Sequence, residues 1–397
     1  MNRQSHPGFR GIVLLLASLA SIALIAGCTP PMPPDVLAAR AESQIQCRDG
    51  EVEVSTPEQF AGSMTAVSDA LASVCPGQSA VEVTSDEPAP IALLDSAPDE
   101  KAIAAFKQER CASGSVVAIP AFAYPVSLAY NIIGVEGLAI TPQAMAGILS
   151  GTVTSFEDPL ITQANAGYDL SGLPPITVLG LEQPQGAVEA MTTWLAQQAP
   201  ESWPAGTQAT LSTATALPTN LDLLGELTAT EATVAILPVF EATNNAIPTA
   251  ALPVKGTDAN GIAFDEVITT DDVQLAKVGS GATTVRTDES GNMALDPAVG
   301  GLPTPGVFDP IAAKIVLAEG QPEVGWPVVG YAHLLVCDSP TDPLPLAFAQ
   351  YLVRLAGQGA LETFGLTPLP EPVRVKTFLP LHVTVATDAP SSSASAS

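Results

Sequence analysis

Positive charge is scarce in this chain. Lysine and arginine total 14 of its 397 residues, against 41 aspartate and glutamate residues, so the formal net charge is −27. Proteins that bind nucleic acid or anionic headgroups present clustered basic side chains, because phosphate contacts supply much of their affinity. The charge balance therefore excludes nucleic acid as the expected partner and argues against docking on anionic lipid.

Histidine is also rare, and the common catalytic motifs are missing. The chain has 3 histidines, namely His6, His333 and His382. It contains no G-x-S-x-G, H-E-x-x-H or P-loop pattern. His333 lies in an apolar stretch, where a packed strand residue is a more common role than a general base. We therefore predict a protein that is not an enzyme and that needs no cofactor or metal.

One short apolar run, Ile12 to Ala26, follows two arginines at the beginning of the chain. Its length and the small residues at its end predict a signal peptide over residues 1–27 rather than a spanning helix. The alternative is an uncleaved single-pass anchor. The ending Ile25-Ala-Gly-Cys28 resembles a bacterial lipobox. This resemblance implies acyl chains on Cys28 and an extracytoplasmic protein that is lipid-anchored to the bacterial cell membrane.

Residues 28–46 are rich in proline and predict an extended tether. Residues 386–397 are rich in serine and predict a disordered tail. Apolar residues make up 47% of the whole chain. This content is enough for one large or two medium hydrophobic cores in the part of the chain between these two segments.

The cysteines other than Cys28 are Cys47, Cys75, Cys111 and Cys337. They show no C-x-x-C spacing, so a zinc site is not expected. An even number in an exported chain favours two disulfides, and three pairings are possible. A predicted strand begins after Cys47 and the helix that follows it ends before Cys75, which favours Cys47–Cys75 and leaves Cys111–Cys337 as the second bond.

Strand and helix patterns alternate along the chain. Predicted strands at Glu51–Ser55 and Ile91–Leu94 precede predicted helices that begin at Thr56 and Asp99. A further helix runs from Thr141, as N-cap, to Gly151. This alternation predicts an α/β fold with mainly parallel sheets and helices on both faces. Ligands of such sheets bind beyond the carboxyl ends of the strands, at helix N-termini.

Several segments together resemble the phosphate-binding (PstS-like) component of ABC importers. They are Ala129-Tyr-Asn131, the helix end Ile148-Leu-Ser-Gly151 with Phe156-Glu-Asp-Pro159, Pro175-Ile-Thr-Val178, and Trp326 to Val336. The resemblance implies the two-lobe, type II periplasmic-binding-protein fold. Lobe I would comprise residues 47–122 and 327–385, and lobe II, inserted in it, residues 123–326. It also implies a small-molecule ligand, phosphate or another, and an ABC permease as partner.

The phosphate ligands of that family are largely replaced here. The family has an arginine- and serine-rich loop, R-S-x-G-S-G-T-T, where this chain reads Leu181-Glu-Gln-Pro-Gln-Gly186, and only Gly186 is retained. Leu181 stands in place of the arginine. The acid and hydroxyl of the family's S-D pair are transposed at Asp95-Ser96. The loop with its helix that the family has after its second strand is missing, because the predicted strands at Ala80–Val83 and Ile91–Leu94 leave no room for it.

The resemblance places the candidate ligand-binding residues in these loops: Ser55, Thr56, Asp95, Ser96, Glu182, Gln185 and Gly186. Capping of a helix explains Thr56 equally well, and Gly62-Ser63 is an alternative to Ser55-Thr56. Glu182 could meet a cationic or hydroxylated ligand or could simply be a solvated loop acid. Loss of a charge-assisted bond costs a few kcal/mol, so tight phosphate capture is not expected.

We therefore expect a cell-surface solute-binding lipoprotein on the phosphate-importer scaffold, with its phosphate site largely lost and its ligand either phosphate or another small molecule. The alternative is a surface interaction or sensory lipoprotein that carries no transported solute. A cleft filled by the protein's own side chains would favour that alternative.

Overall fold

The computed structural model describes residues 39–40, 42–85, 87–111, 114–257, 263–270, 283–287, 293–295, 314–315, 326–369 and 371–383. Ile45–Thr384 form one compact unit, to which all the elements named below belong. Residues 1–44 and 385–397 form a second unit, in which the Ser43 hydroxyl donates to the carbonyl of Arg40 at 2.9 Å. The predicted signal peptide, Cys28 and the tail over 386–397 lie outside the described residues.

The unit contains thirteen described strands and ten described α-helices. The strands are β1 (Gly50–Thr56), β2 (Gln78–Thr84), β3 (Ile91–Leu94), β4 (Ser115–Asn131), β5 (Thr177–Leu181), β6 (Thr215–Leu217), β7 (Thr233–Pro238), β8 (Leu252–Thr257), β9 (Ala263–Ile268), β10 (Thr283–Thr287), β11 (Met293–Leu295), β12 (Lys314–Ile315) and β13 (Val329–Asp338). The helices are α1 (Ser63–Ala72), α2 (Glu100–Arg110), α3 (Pro142–Ser150), α4 (Pro159–Thr162), α5 (Gly186–Gln198), α6 (Asn220–Ala229), α7 (Val239–Asn244), α8 (Leu344–Leu352), α9 (Leu355–Phe364) and α10 (Glu371–Lys376).

The main sheet has eight strands in the order β2-β1-β3-β13-β4-β7-β5-β6. The outer pairs are parallel, and β13 and β4 run antiparallel to their neighbours. With helices packed against it, this sheet confirms the predicted two-lobe α/β class. One point differs from the prediction, since the two halves form one continuous sheet instead of two separate ones.

Strand β4 makes the sheet continuous because it changes partner along its 17 residues. Ser115 to Pro125 pair with β13, and Val126 to Asn131 pair with β7. The register shifts between Ala332 and His333, opposite Pro120. A proline has no N–H for the ladder, so an irregularity there is expected. The boundaries of the two lobes remain a prediction.

An aromatic cluster links the two halves of the sheet beside β4. Phe60, in a 3₁₀ helix over Glu58–Phe60, lies 5.2 Å from Phe122 and 5.1 Å from Tyr124 between ring centroids. It also stacks on Phe240 of α7 at 5.8 Å. Such ring pairs contribute about 0.5–1.5 kcal/mol beyond their buried area, so the cluster holds the Glu58–Phe60 turn against both halves.

Helix α1 begins later than the sequence predicts. Strand β1 continues to Thr56, whose hydroxyl donates to the carbonyl of Val54, and α1 begins at Ser63 after Gly62. The prediction of Thr56 as an N-cap was therefore wrong. The carboxylate of Glu82 on β2 accepts the N–H groups at the helix start instead, which makes a local hydroxyl cap unnecessary.

Helices α2 and α3 confirm their predicted beginnings. Asp99 accepts the N–H of Ala102, and Thr141 accepts the N–H of Ala144 with Pro142 in the first turn. Gly151 ends α3 in the left-handed conformation, with φ of 76°, as the sequence pattern indicates. None of the helices in the described part of the chain is both long enough and apolar enough to span a membrane.

The predicted Cys47–Cys75 disulfide is present, with 5.4 Å between the two Cα atoms. The predicted second bond is not: Cys111 and Cys337 are buried free thiols. Their sulfurs donate to the carbonyls of Ser115 and Arg110 at 3.4 and 3.3 Å. Burial and the neighbouring Cys111 raise the pKa of Cys337, so the reactive thiolate is disfavoured.

We therefore expect the two thiols to resist alkylation in the folded protein. After denaturation without a reductant, both Cys111 and Cys337 should be labelled by iodoacetamide, while Cys47 and Cys75 stay protected by their bond. Peptide mapping of the labelled protein measures this. Protection of all four cysteines in the denatured protein would show that a second disulfide exists.

Candidate functional site

The candidate site lies where helix α5 begins after strand β5. Gly186 is the first residue of α5, and Gln185 precedes it without a side-chain cap for the helix. Facing it is Asp95, directly after strand β3 of the other half of the sheet. Amide groups at such a helix start are the usual binding position for an anion in this kind of fold.

The Asp95 carboxylate occupies that anion position. Its Oδ2 accepts the N–H of Gly186 at 2.7 Å and the side-chain amide of Gln59 at 3.0 Å. The two partners come from opposite halves of the sheet, so this one carboxylate joins them. A fixed internal anion thus stands where a bound oxyanion would receive its backbone donor.

The backbone at this contact is tightly packed. The Tyr124 hydroxyl donates to the Asp95 carbonyl. A Cβ atom on Gly186 would lie 2.1 Å from that same carbonyl oxygen and 2.6 Å from the Tyr124 hydroxyl. Position 186 therefore requires glycine for a steric reason, independent of any ligand.

Burial governs the protonation of both side chains. It raises the pKa of Asp95 above its ordinary value, although the hydrogen bonds from Gly186 and Gln59 oppose the shift. Burial also raises the pKa of Tyr124 well above its ordinary value, and the charges of Asp95 and Glu189 add to this. Tyr124 therefore stays a neutral donor at physiological pH.

Two other helix starts are occupied in the same way. On α1, Glu82 accepts the N–H groups of Gly62 and Met64, both at 2.6 Å, and that of Thr65 at 3.1 Å. On α6, Glu58 accepts the N–H of Asn220 at 3.1 Å. Three helix starts that could donate to an oxyanion thus already donate to carboxylates of the chain itself.

A cavity of about 500 Å³ remains beside Asp95. Its polar lining includes Ser55, Gln59, Asp95, Arg110, Gln185 and Asn220. Among the described residues, no group of three or more histidine, cysteine, aspartate or glutamate side chains is arranged to hold a metal ion. The cavity can therefore accept a polar solute through hydroxyl, amide, carboxylate and guanidinium groups.

The structure brings some of the predicted site residues together. Asp95 contacts Gly186, and Ser55, Asp95 and Gln185 line the same cavity. Ser55 is buried and donates to the Ser85 carbonyl at 3.3 Å. The side chain of Gln185 accepts the N–H of Leu181 at 3.3 Å.

Three other predicted residues are not among those that line the cavity. Thr56 is buried and bonds within its own strand. Glu182 is exposed, in keeping with the solvated loop acid that the sequence allowed. Ser96 lies in a bend after β3. The ligand-binding role of all seven predicted residues stays a prediction.

Sequence reasoning missed four residues of the site: Glu58, Gln59, Glu82 and Tyr124. Glu58 lies in the helix that was predicted to begin at Thr56, and Glu82 lies in the strand predicted over Ala80–Val83. No local signal marks either one as the partner of a distant helix start. Their roles follow only from the folded arrangement.

The fold defines a class of protein, the two-lobe α/β architecture of periplasmic-binding-protein-like chains. A family model described as a PBP superfamily domain matches residues 48–354, and the chain belongs to this family. No curated protein matches the chain.

Solved structures with the same fold include several phosphate-binding proteins. The periplasmic phosphate-binding protein PfluDING is 15% identical, with a TM-score of 0.54 over 82% of this chain and 93% of that one. A DING protein gives 14% identity and a TM-score of 0.55 over 82% and 93% of the two chains. A human phosphate-binding apolipoprotein gives 15% identity and a TM-score of 0.51, again over 82% and 93%. At these identities the likeness shows a PstS-like fold.

Proposed function

We propose that this chain is an extracytoplasmic solute-binding lipoprotein whose phosphate position is filled by its own Asp95 carboxylate. In this proposal Cys28 carries the lipid anchor, an ABC permease is the partner, and the ligand is not an oxyanion. The observation that carries the proposal is the contact of 2.7 Å between Asp95 Oδ2 and the Gly186 amide.

The physical argument is one of competition between anions. A phosphate dianion at this position would have to displace Asp95 from Gly186 and then lie beside a second negative charge. The loop offers no compensating cation, because Leu181 stands where the family has an arginine. A lost charge-assisted hydrogen bond costs about 1.5–3 kcal/mol, and like-charge juxtaposition costs several kcal/mol more. Together they remove several factors of ten in affinity.

The remaining cavity suits a different ligand. Most of its polar lining consists of carboxamides, hydroxyls and carboxylates, and the guanidinium of Arg110 already donates to the Ser85 carbonyl at 3.3 Å. Such a lining hydrogen-bonds to neutral hydroxylated or cationic groups. A small solute of either kind could bind there without displacing Asp95. Such a ligand would still bridge both halves of the sheet, as solute-binding proteins require.

The second candidate function is an interaction or sensory protein without a transported solute. The contact of Asp95 with Gly186 and Gln59 favours it, because this contact joins the two halves without any ligand. If the protein's own side chains already hold the two halves together, no bound solute is required to bring the halves together.

A panel of solutes separates these functions. Thermal unfolding would be followed with phosphate, sulfate, neutral sugars, amino acids and small amines, each at millimolar concentration. We expect a higher melting temperature with a neutral or cationic solute and no shift with phosphate. The absence of any shift would favour the interaction role, and a shift specific to phosphate would contradict the proposal.

A further inference from the structure

A second, smaller cavity of about 250 Å³ lies beside the Glu58–Phe60 turn and helices α6 and α7. Its lining includes Glu58, Asn220, Phe240, Glu241, Asn244 and Phe364. Among the described residues, no lysine, arginine or histidine lines it, so the charged groups that they contribute to its wall are carboxylates. Such a wall excludes anions and attracts groups that donate hydrogen bonds.

Glu241 is the unusual residue of this wall. Its side chain is only 6% exposed. One carboxylate oxygen, Oε1, accepts from the Asn220 side-chain amide. The other, Oε2, is buried and has no hydrogen-bond partner among the described residues. Buried polar atoms in folded proteins are nearly always paired, because an unpaired one loses its hydration without compensation. A hydrogen-bond donor from outside the described residues, such as a ligand, would give Glu241 Oε2 the partner that it lacks.

Glu58 adds a second carboxylate to the same wall. It accepts the backbone N–H of Asn220, whose side chain donates to Glu241, so one asparagine lies between two acids. Because Glu58 already takes that N–H at the start of α6, the positive end of the helix is not presented to a ligand. The charge of Glu58 contributes to the raised pKa of Glu241, so the two carboxylates repel each other and a cation beside them would offset that repulsion.

The aromatic and apolar residues of the lining could contact the ammonium group and carbon chain of an organic cation. The rings of Phe240 and Phe364 lie 6.0 Å apart between centroids, and an ammonium group gains from proximity to an aromatic face. Leu221 and Leu224 also line the cavity and provide an apolar surface for a short carbon chain.

We propose that this cavity binds the primary ammonium group of a small alkylamine, which donates hydrogen bonds to Glu241 and Glu58. The proposal goes beyond the proposed function, because it assigns a second ligand site that is separate from the cavity beside Asp95. The ammonium supplies the donor that Glu241 Oε2 lacks and neutralises the paired carboxylates.

The test is calorimetric titration of the full chain with propylammonium chloride at about pH 8, which is above the pKa of about 7 to which burial raises Glu241. Tetramethylammonium chloride is the control ligand, because it carries the same charge without an N–H donor. The variants are Glu241→Gln and Glu58→Gln. Glu201→Gln is the matched control variant, since it removes the same charge at an exposed residue outside the cavity lining.

We expect saturable binding of propylammonium to the wild type and to Glu201→Gln, and none of tetramethylammonium. Binding should weaken by about tenfold or more in Glu241→Gln and in Glu58→Gln, because each variant loses a charge-assisted bond. If Glu241→Gln does not fold, the exposed Glu58→Gln carries the test.

The inference is overturned if propylammonium does not bind the wild type, or if it binds equally well to both cavity variants. The proposed function is tested separately by the solute panel. Binding of a sugar without binding of the amine would leave the proposed function standing and overturn this inference. Binding of phosphate in the panel would instead contradict the proposed function.

Discussion

Replacement of Gly186 by alanine is expected to lower the free energy of unfolding by about 3 kcal/mol. The added Cβ would lie 2.1 Å from the Asp95 carbonyl oxygen and 2.6 Å from the Tyr124 hydroxyl. The nearest atom belongs to the backbone, so a rotamer change cannot relieve the overlap. The beginning of α5 would have to move away from β3 and lose the Asp95 hydrogen bond. Urea denaturation, with the slope compared between variants, measures the loss.

Gly225→Ala is the matched control for this prediction. Gly225 is an exposed residue within α6, and a Cβ there would meet no atom within 4 Å. Alanine in a helix interior is favoured over glycine by about 0.8–1 kcal/mol, so this variant should be slightly more stable than the wild type. Equal effects of the two substitutions would show that the close approach of α5 to Asp95 is wrong.

The second large effect concerns pH and Glu241. Burial, opposed by the Asn220 hydrogen bond and assisted by the charge of Glu58, raises the pKa of this carboxyl from 4.5 to about 7. A raised pKa means that the folded state favours the protonated form. The contribution of Glu241 to stability is therefore full below pH 4.5 and is lost as the pH rises through about 7. One pKa unit corresponds to about 1.4 kcal/mol, so the loss is about 3 kcal/mol.

Glu241→Gln removes this ionisation and keeps an oxygen that can accept from Asn220. Between about pH 5 and pH 9 the free energy of unfolding of the wild type should fall relative to that of the variant by most of this amount. Unfolding in urea at a series of pH values measures the difference. Glu201→Gln should follow the wild type, and parallel curves for the wild type and Glu241→Gln would contradict the assigned pKa.

Local signals in the sequence predicted the local structure well. Helix α3 has its N-cap Thr141, its early Pro142 and its terminal Gly151 within eleven residues, and each is found as predicted. Helix α2 likewise begins after its own Asp99. In these elements the residues that decide the structure are neighbours in the chain, so their pattern can be read directly.

Distant partners could not be predicted in the same way. The start of α1 is fixed by Glu82, which is 20 positions from Gly62, and no pattern near Thr56 reveals this. Asp95 and Gly186 were both predicted to bind a ligand. In the structure they form a hydrogen bond with each other. Their contact spans 91 positions. A contact of this kind depends on how the two halves of the sheet pack together. Patterns of neighbouring residues in the sequence do not reveal that packing.

The cysteines show the same division. Cys47 and Cys75 flank one β–α unit, and their bond follows from that short connection. Cys111 and Cys337 were paired by elimination, which considers neither burial nor competing partners. The folded chain places both thiols near backbone carbonyls that they bond instead.

Calorimetric titration of the protein with inorganic phosphate tests the central claim most directly. If the Asp95 carboxylate holds the Gly186 amide as an internal anion, phosphate should produce no saturable heat at micromolar to millimolar concentrations. Stoichiometric binding of phosphate in the micromolar range would show that Asp95 yields this position to an external anion, and its assignment as a permanent internal anion would be wrong.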